Sequence, residues 1–344
     1  MKSIEEKTAL VTGSAGFIGF HISKKLLDKG WKVIGLDCMS DYYDVSLKEK
    51  RENILNQNSR YSSIHKKIEA DNVLMNLFAK ERPSIVIHLA AQAGVRYSIE
   101  DPRVYLESNI IGTFELLEAA RCYPPEHMLL ASTSSAYGAN DNMPYAENMQ
   151  SDHQMSFYAA TKKSTENMAH SYSHLFNLPI TVFRFFTVYG PWGRPDMAIF
   201  KFTEAILSGD TIDVYNFGEM YRDFTYIDDL INGMNLLIDK VPETGGENKK
   251  NYQTDHNSSP VAPFRLVNIG NSKSEKLTDF IEALEKALGM TAIKNFLPMQ
   301  PGDVPATLAS TDLLKSLTGY RPQTDIASGV NSFVKWYRNY YEII

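Results

Sequence analysis

Two hydrophobic patterns alternate along the first half of this chain. Lys7–Val11 (KTALV), Trp31–Asp37 (WKVIGLD), Ile85–Leu89, Met128–Ser132 and Ile180–Phe186 are short, nearly continuous apolar runs, as in strands buried on both faces. Between them, Phe17–Lys29, Val104–Arg121 and Tyr158–Leu175 carry apolar residues at helical spacing. Strands alternating with long helices predict an α/β fold built on a parallel, doubly wound sheet. After Tyr189 the rhythm loosens into segments rich in Pro, Gly and aromatics, YGPWGRPDM and DVYNFGEMYRDF, which predict a smaller C-terminal α/β cap with ligand-facing loops. Phe264–Ile269 has the look of another core strand. The division expected is 1–188, with segments near 224–240 and 264–272, for the sheet domain, and 189–223 with 273–344 for the cap. The polar, Gly/Pro/Ser-marked stretch 243–262 is expected to be a mobile surface loop.

Composition narrows the class without choosing a function. With 344 residues, 43% of them hydrophobic and 22% charged, the chain is of ordinary globular type. A net charge of −6 gives no electrostatic case for nucleic acid or an anionic membrane. The start MKSIEEK is polar and acidic, unlike a signal peptide, and no apolar run of about 20 residues predicts a membrane span. Cys38 and Cys122 are the two cysteines, without a CxxC, so neither a disulfide framework nor a thiolate metal site is expected, and a reducing cytoplasm is the default.

The turn after the first strand, GSAGFIG, places Gly13, Gly16 and Gly19 where a pyrophosphate must come close to backbone. Phe17 and Ile18 open the following helix, whose free N–H groups and positive dipole end favour an anion. Asp37 ends the second strand and can accept hydrogen bonds from a ribose diol while repelling a 2′-phosphate, the alternative being a strand-end turn former; the pattern is the Rossmann-type fingerprint, with NAD favoured over NADP. Asp71, in IEADN, suits either an adenine amino group or a helix N-cap before VLMNLF. Leu89, Ala90 and Ala91 leave a strand as small residues, as expected where backbone passes a cofactor.

Tyr158 and Lys162 stand one helical turn apart and share a face. A lysine cation there is expected to favour phenolate and make Tyr158 a base near neutral pH, with Thr133 at the preceding strand end relaying the hydroxyl proton. YxxxK alone carries little information; after a strand ending in STSS, within a dinucleotide fold, it is specific. Arg222, in YRDF, is a candidate pyrophosphate ligand because guanidinium matches phosphate oxygens bidentately, the alternative being a salt bridge with Asp223 or Glu219. His170 and His174 lack a third ligand and predict a helix-surface or interface pair, not zinc. The aromatic end FVKWYRNYYEII predicts an amphipathic docking helix.

GSAGFIG, Asp37, LAAQAGVRYS, NIIGT, the Ser/Thr triplet and YAATK together resemble the extended short-chain dehydrogenase/reductase family over essentially the whole chain. RFFTVYGPWGRPDMAIFKF, IDVYN, RDFTYIDD and QPGDVPAT resemble its UDP-glucuronate 4-epimerases in particular. The resemblance implies that Tyr158, Lys162 and Thr133 oxidise and re-reduce a sugar 4-hydroxyl with NAD, and places Asn109 at the cofactor. It implies a UDP-sugar held by the cap, with Val214 and Tyr215 near the uridine and Asp303 near its ribose, and a homodimer built on two helices per subunit.

Relatives that dehydrate or decarboxylate nucleotide sugars resemble this chain except for an acid at the place of Ser135. Here Ser134 and Ser135 offer neutral donors suited to a substrate carboxylate. Oxidising C4 of a glucuronate makes a β-keto acid, which loses CO₂ when the breaking bond stands perpendicular to the carbonyl plane. Several donors holding the carboxylate can fix it away from that alignment. Thr133, Ser134, Ser135 and Thr187 are the candidate donors, with Arg194 as nearby cation. Thr187 replaces the asparagine common in relatives acting on neutral hexoses, the alternative being an ordinary strand-end residue. The competing readings are a UDP-glucuronate decarboxylase, a 4-epimerase of neutral UDP-hexoses and a non-catalytic NAD-binding sensor.

Overall fold

Successive residues of a strand face opposite sides of its sheet, so strands that are apolar throughout demand cover on both. The computed structural model describes residues 7–244, 259–300 and 302–343. In it β1 (Thr8–Thr12), β2 (Lys32–Asp37), β3 (Tyr61–His65), β4 (Ile85–His88), β5 (His127–Thr133) and β6 (Ile180–Phe185) join the strand Phe264–Ile269 in one sheet. Every pairing is parallel, and the order from one edge is Phe264–Ile269, β6, β5, β4, β1, β2, β3. Leu10, Ile34, Val86, Leu130 and Val182 bury against the helices Val73–Glu81, Gly112–Cys122 and Phe157–Phe176. Their neighbours Val11, Val33, Ile87, Leu129 and Phe183 bury on the other face, against α1 (Phe17–Asp28) and the helix Ile227–Ile238.

The expected strands and helices appear within one or two residues of their ends, with one internal departure. The helix expected over 104–121 is broken into Pro102–Tyr105, a wider π-type turn at Leu106–Ile111, and Gly112–Cys122. β3, YSSIH, is an edge strand with mostly exposed side chains, and the helix Val45–Leu55 buries Lys48, Arg51 and Glu52 beside two leucines, so neither shows an apolar stripe. The 243–262 segment lies mostly, over 245–258, outside the described residues.

Beyond Tyr189 the chain makes short paired strands, Thr211–Tyr215 with Ile293–Leu297 and Tyr221–Arg222 with Glu275–Lys276. The helices Ala198–Ser208, Leu277–Leu288 and Ile326–Tyr340 share a core of Phe200, Val214, Phe280, Leu284, Phe333 and Tyr337. The aromatic C-terminal helix therefore docks as its pattern predicts. Asp223 pins this part to the sheet: its buried carboxylate accepts backbone N–H groups from Asn271 (2.6 Å), Ser272 (2.9 Å) and Ala309 (3.1 Å). His170 and His174 fasten the approach to the edge strand, reaching the Ser259 hydroxyl and the Val261 carbonyl, each at 2.8 Å.

Candidate active site

The strand order runs outward in opposite directions from β1 and β4, and that switch opens a crevice at their C-terminal ends. The glycine turn lies in it. Gly13 has φ +71, and a Cβ there would stand 2.8 Å from the Ala90 nitrogen. A Cβ on Gly19 would stand 2.0 Å from the Gly13 carbonyl oxygen, so the turn and the first helical turn meet at a distance only glycine allows. Gly16 occupies the N-cap of α1 without a side-chain cap, and the amides of Phe17 and Ile18 are among those the helix leaves unbonded. Thr12 ties the segment Leu89–Ala91 alongside, its hydroxyl accepting the N–H groups of Leu89 (3.2 Å) and Ala90 (3.1 Å).

Asp37 closes β2 with its carboxylate in the crevice, accepting N–H from Ala15 at 3.0 Å and Met39 at 2.9 Å. Asp71 is exposed; the helix after it has Asn72 in the cap position, so the capping alternative for Asp71 is not used. Asn109 is buried with its amide committed. It accepts the Gln92 N–H (2.9 Å) and donates to the Gln92 carbonyl (3.1 Å) and the Thr161 hydroxyl (3.0 Å). It joins the LAAQAG segment to the helix that carries Tyr158 and Lys162.

Ser156 caps that helix, its hydroxyl accepting the Ala159 N–H at 3.1 Å, which fixes Tyr158 in the first turn. Thr133 ends β5, accepts the Ser135 N–H at 3.2 Å and hydrogen-bonds the Tyr158 phenol. Burial pushes that phenol up, and the Thr133 bond and the Arg194 charge only partly offset it. The expected lowering of the phenol by Lys162 is therefore not what the protein alone provides. Lys162 is itself buried, and desolvation draws its ammonium down to about 8 against the pull of Glu166. Glu166, missed in the sequence, accepts hydrogen bonds from Arg184 Nε (2.9 Å), Arg184 Nη2 (2.7 Å) and the Ser132 hydroxyl (2.6 Å), locking the helix onto β5 and β6.

Beside Thr133 a cavity of about 170 Å³ is lined by Ser134, Ser135, Thr187, Arg222 and Asp303, brought together from four distant parts of the chain. A larger, shallower depression of about 400 Å³ over 137–153 is lined by none of the candidate residues. Arg222 donates to the carbonyls of Tyr221 (2.9 Å) and Pro305 (3.2 Å). Glu219 pairs with Lys276 and Asp223 faces backbone, so the salt-bridge alternative for Arg222 is not used. Asp303 pairs with Arg96 at 3.0 Å, and the Arg96 guanidinium lies 4.9 Å from the centroid of the Tyr215 ring. Burial lowers Arg222, Asp303 and Tyr145 partly offset it, and Arg96 adds the smallest lowering, so Arg222 feels the same carboxylate that pairs with Arg96. Nothing in the local sequence marked Arg96; Asp303, far along the chain, is its signal.

The remaining two candidates differ from expectation in detail. Val214 is fully buried in the cap core, so only its backbone can face a ligand. Arg194, the cation expected to stand near a carboxylate, is held by Asp196, Nε to Oδ1 at 3.0 Å. Among the described residues no cluster of three metal-ligating side chains occurs.

A glycine turn made for a pyrophosphate, feeding a Tyr–Lys pair at the strand switch, defines a dinucleotide-dependent enzyme acting on a carbinol carbon. Residues 9–252 match the NAD dependent epimerase/dehydratase family, and the chain belongs to it. It is 51% identical to a probable UDP-glucuronate 4-epimerase of Rhizobium meliloti (strain 1021), over 96% of this chain and 97% of that protein. UDP-glucuronate 4-epimerase 4 of Arabidopsis thaliana is 43% identical, over 97% of this chain and 76% of its own length. Among solved structures, UDP-glucuronic acid 4-epimerase from Bacillus cereus in complex with UDP-glucuronic acid and NAD superposes with a TM-score of 0.86 at 33% identity, covering 97% of this chain and all (100%) of that one.

Proposed function

We propose that this protein interconverts UDP-glucuronate and UDP-galacturonate by inversion at C4. The observation that carries the reading is the cavity wall: Ser134, Ser135 and Thr187, all neutral donors, meet Arg222 beside the Thr133–Tyr158 pair. In this mechanism Tyr158, through its bond with Thr133, takes the proton of the 4-hydroxyl, and Lys162 supplies the neighbouring positive charge. NAD, held by the glycine turn and Asp37, supplies the acceptor for the C4 hydride and its return to the opposite face of the 4-keto sugar. Ser134, Ser135 and Thr187 hold the carboxylate of the β-keto acid out of the alignment that expels CO₂. Arg222 and Arg96 carry the diphosphate.

Ser135 in place of an acid argues against elimination, and Thr187 argues against a neutral hexose as preferred substrate. The intact Tyr158–Lys162 pair argues against a non-catalytic sensor. The division into a sheet domain and a cap follows the same reading, as does a homodimer through the helices near 103–121 and 158–176, where Ile111, Phe114 and Leu175 are exposed at 39%, 43% and 64%.

NMR of UDP-glucuronate incubated with the protein, without added NAD, tests the activity. Galacturonate resonances growing to a stable mixture are expected. A pentose signal with CO₂ would make the protein a decarboxylase, and an unchanged spectrum with bound NAD would leave the sensor.

A further inference from the structure

Arg51 is fully buried, yet among the described residues no carboxylate pairs with it. Its guanidinium is spent on two loops. Nη1 donates to the Ala15 carbonyl, in the glycine turn, and to the Tyr43 hydroxyl, each at 3.0 Å. Nη2 donates to the carbonyls of Trp192 (2.7 Å) and Gly193 (2.9 Å), immediately before Arg194. The Nε–H is buried without a partner. Burying an unpaired cation is costly, and Trp192 adds a left-handed backbone, φ 61, that a bulky residue rarely adopts. Such conformations persist where the surroundings over-determine them, often at functional sites.

A second tie joins the same two pieces: His21, on α1, donates from Nε2 to the Pro191 carbonyl at 3.0 Å. Phe20, on the same helix, packs its ring against Trp192, centroids 5.6 Å apart. The first turns of α1 and the loop 190–194 therefore have little freedom to move separately. The first presents the amides that meet a pyrophosphate, and the second leads into the guanidinium that acts on Tyr158.

We propose that Arg51 is a positioning residue that binds the dinucleotide turn and the 190–194 loop into one unit, so that NAD and the UDP-sugar strengthen each other's binding. The proposal rests on the activity inferred above. A ligand that orders one loop orders the other through the shared guanidinium, and the coupling must be reciprocal. Arg51→Lys keeps the charge but replaces a planar fork with a single point donor that cannot span both loops.

The test measures NAD affinity of the full-length protein, stripped of cofactor, by calorimetry with and without saturating UDP-glucuronate. In wild type the ratio of the two dissociation constants is expected to be on the order of ten or more. Arg51→Lys should bring it near one, raising KM for UDP-glucuronate more than it lowers kcat. A ratio unchanged by Arg51→Lys, or near one in wild type, overturns the proposal. If position 51 variants do not fold, His21→Ala, which cuts the second tie, must lower the ratio by about fivefold or more, within the range of such couplings; an unchanged ratio again overturns it. A wild type that binds NAD but leaves UDP-glucuronate unaltered would instead refute the activity, a result distinct from lost coupling.

Discussion

The two sides of the crevice are made by different means. On the dinucleotide side the surface is backbone: Gly13, Gly16 and Gly19 bring main chain close, and Leu89 and Ala90 pass with amides tied to Thr12. On the side proposed for the sugar it is side chain: Ser134, Ser135, Thr187, Arg222 and Asp303 reach one cavity from four separate parts of the chain. A backbone surface tolerates no Cβ where it is tight and reads little of the other side chains. A side-chain surface can change what it accepts one residue at a time while the fold stays as it is. Cofactor use is therefore built into the fold, and substrate choice is laid over it.

The largest effect expected falls where the two sides meet. Tyr158→Phe removes the base and little contact area, so turnover should drop by roughly 10²–10⁴ while NAD and UDP-glucuronate still bind. Steady-state rates beside calorimetry check it, and activity within a few-fold of wild type would remove Tyr158 from the mechanism.

On the dinucleotide side, Gly19→Ala forces a methyl against the Gly13 carbonyl oxygen, a contact of 2.0 Å that rigid backbone cannot relieve. Overpacking of this kind costs about 1–3 kcal/mol or more, and the purified variant should lose most of its bound NAD. NAD content by absorbance after desalting decides it; full retention would mean the turn yields more than its packing allows.

Beneath the sugar side lies a buried carboxyl. Glu147 Oε1 accepts the Asn268 N–H at 2.8 Å, and burial pushes the group up to about 7. A raised folded-state value means the native protein holds the proton more tightly than the unfolded chain. The stability it contributes is present in full below the ordinary carboxylate range and is lost as pH rises through about 7. The total is about 3 kcal/mol. Melting temperature should fall between pH 5 and 8 in wild type and fall less in Glu147→Gln; parallel profiles would exclude Glu147 as the cause.

The effect of Thr187 is the most diagnostic of the comparison. Thr187→Ala should weaken UDP-glucuronate by roughly ten- to a hundredfold, the 1.5–3 kcal/mol of a hydrogen bond to a charged group, and UDP-glucose far less. It should also leak a decarboxylated 4-keto pentose, because a looser carboxylate samples the perpendicular geometry. Equal losses for acid and neutral sugars would mean that Thr187 only shapes the wall.

Most of the sheet was legible because strands buried on both faces announce themselves as unbroken apolar runs. β3 and the helix Val45–Leu55 were not, since the first is an exposed edge and the second buries charged side chains. Of the candidate site, the glycine turn, Asp37, Thr133, Tyr158 and Lys162 are marked by spacing, because each sits at a set distance from a strand end. Arg96, Glu166 and Arg51 were not: each takes its meaning from a partner that only the fold supplies, respectively Asp303, Arg184 and the Ala15 and Gly193 carbonyls.

By itself, then, the order of residues determined what is local: the strand–helix rhythm, the turn that only glycine can make, and the tyrosine and lysine one helical turn apart. These depend on steric limits and periodicities that act within a few residues. Tertiary structure alone decided which charges are answered and which are left over. Arg184 meets Glu166, and Arg96 meets Asp303. Burial, and not the neighbouring lysine, governs the Tyr158 phenol. Desolvation and pairing depend on what lies within a few ångströms in space, and neighbours distant in sequence acquire that proximity only when the chain has folded.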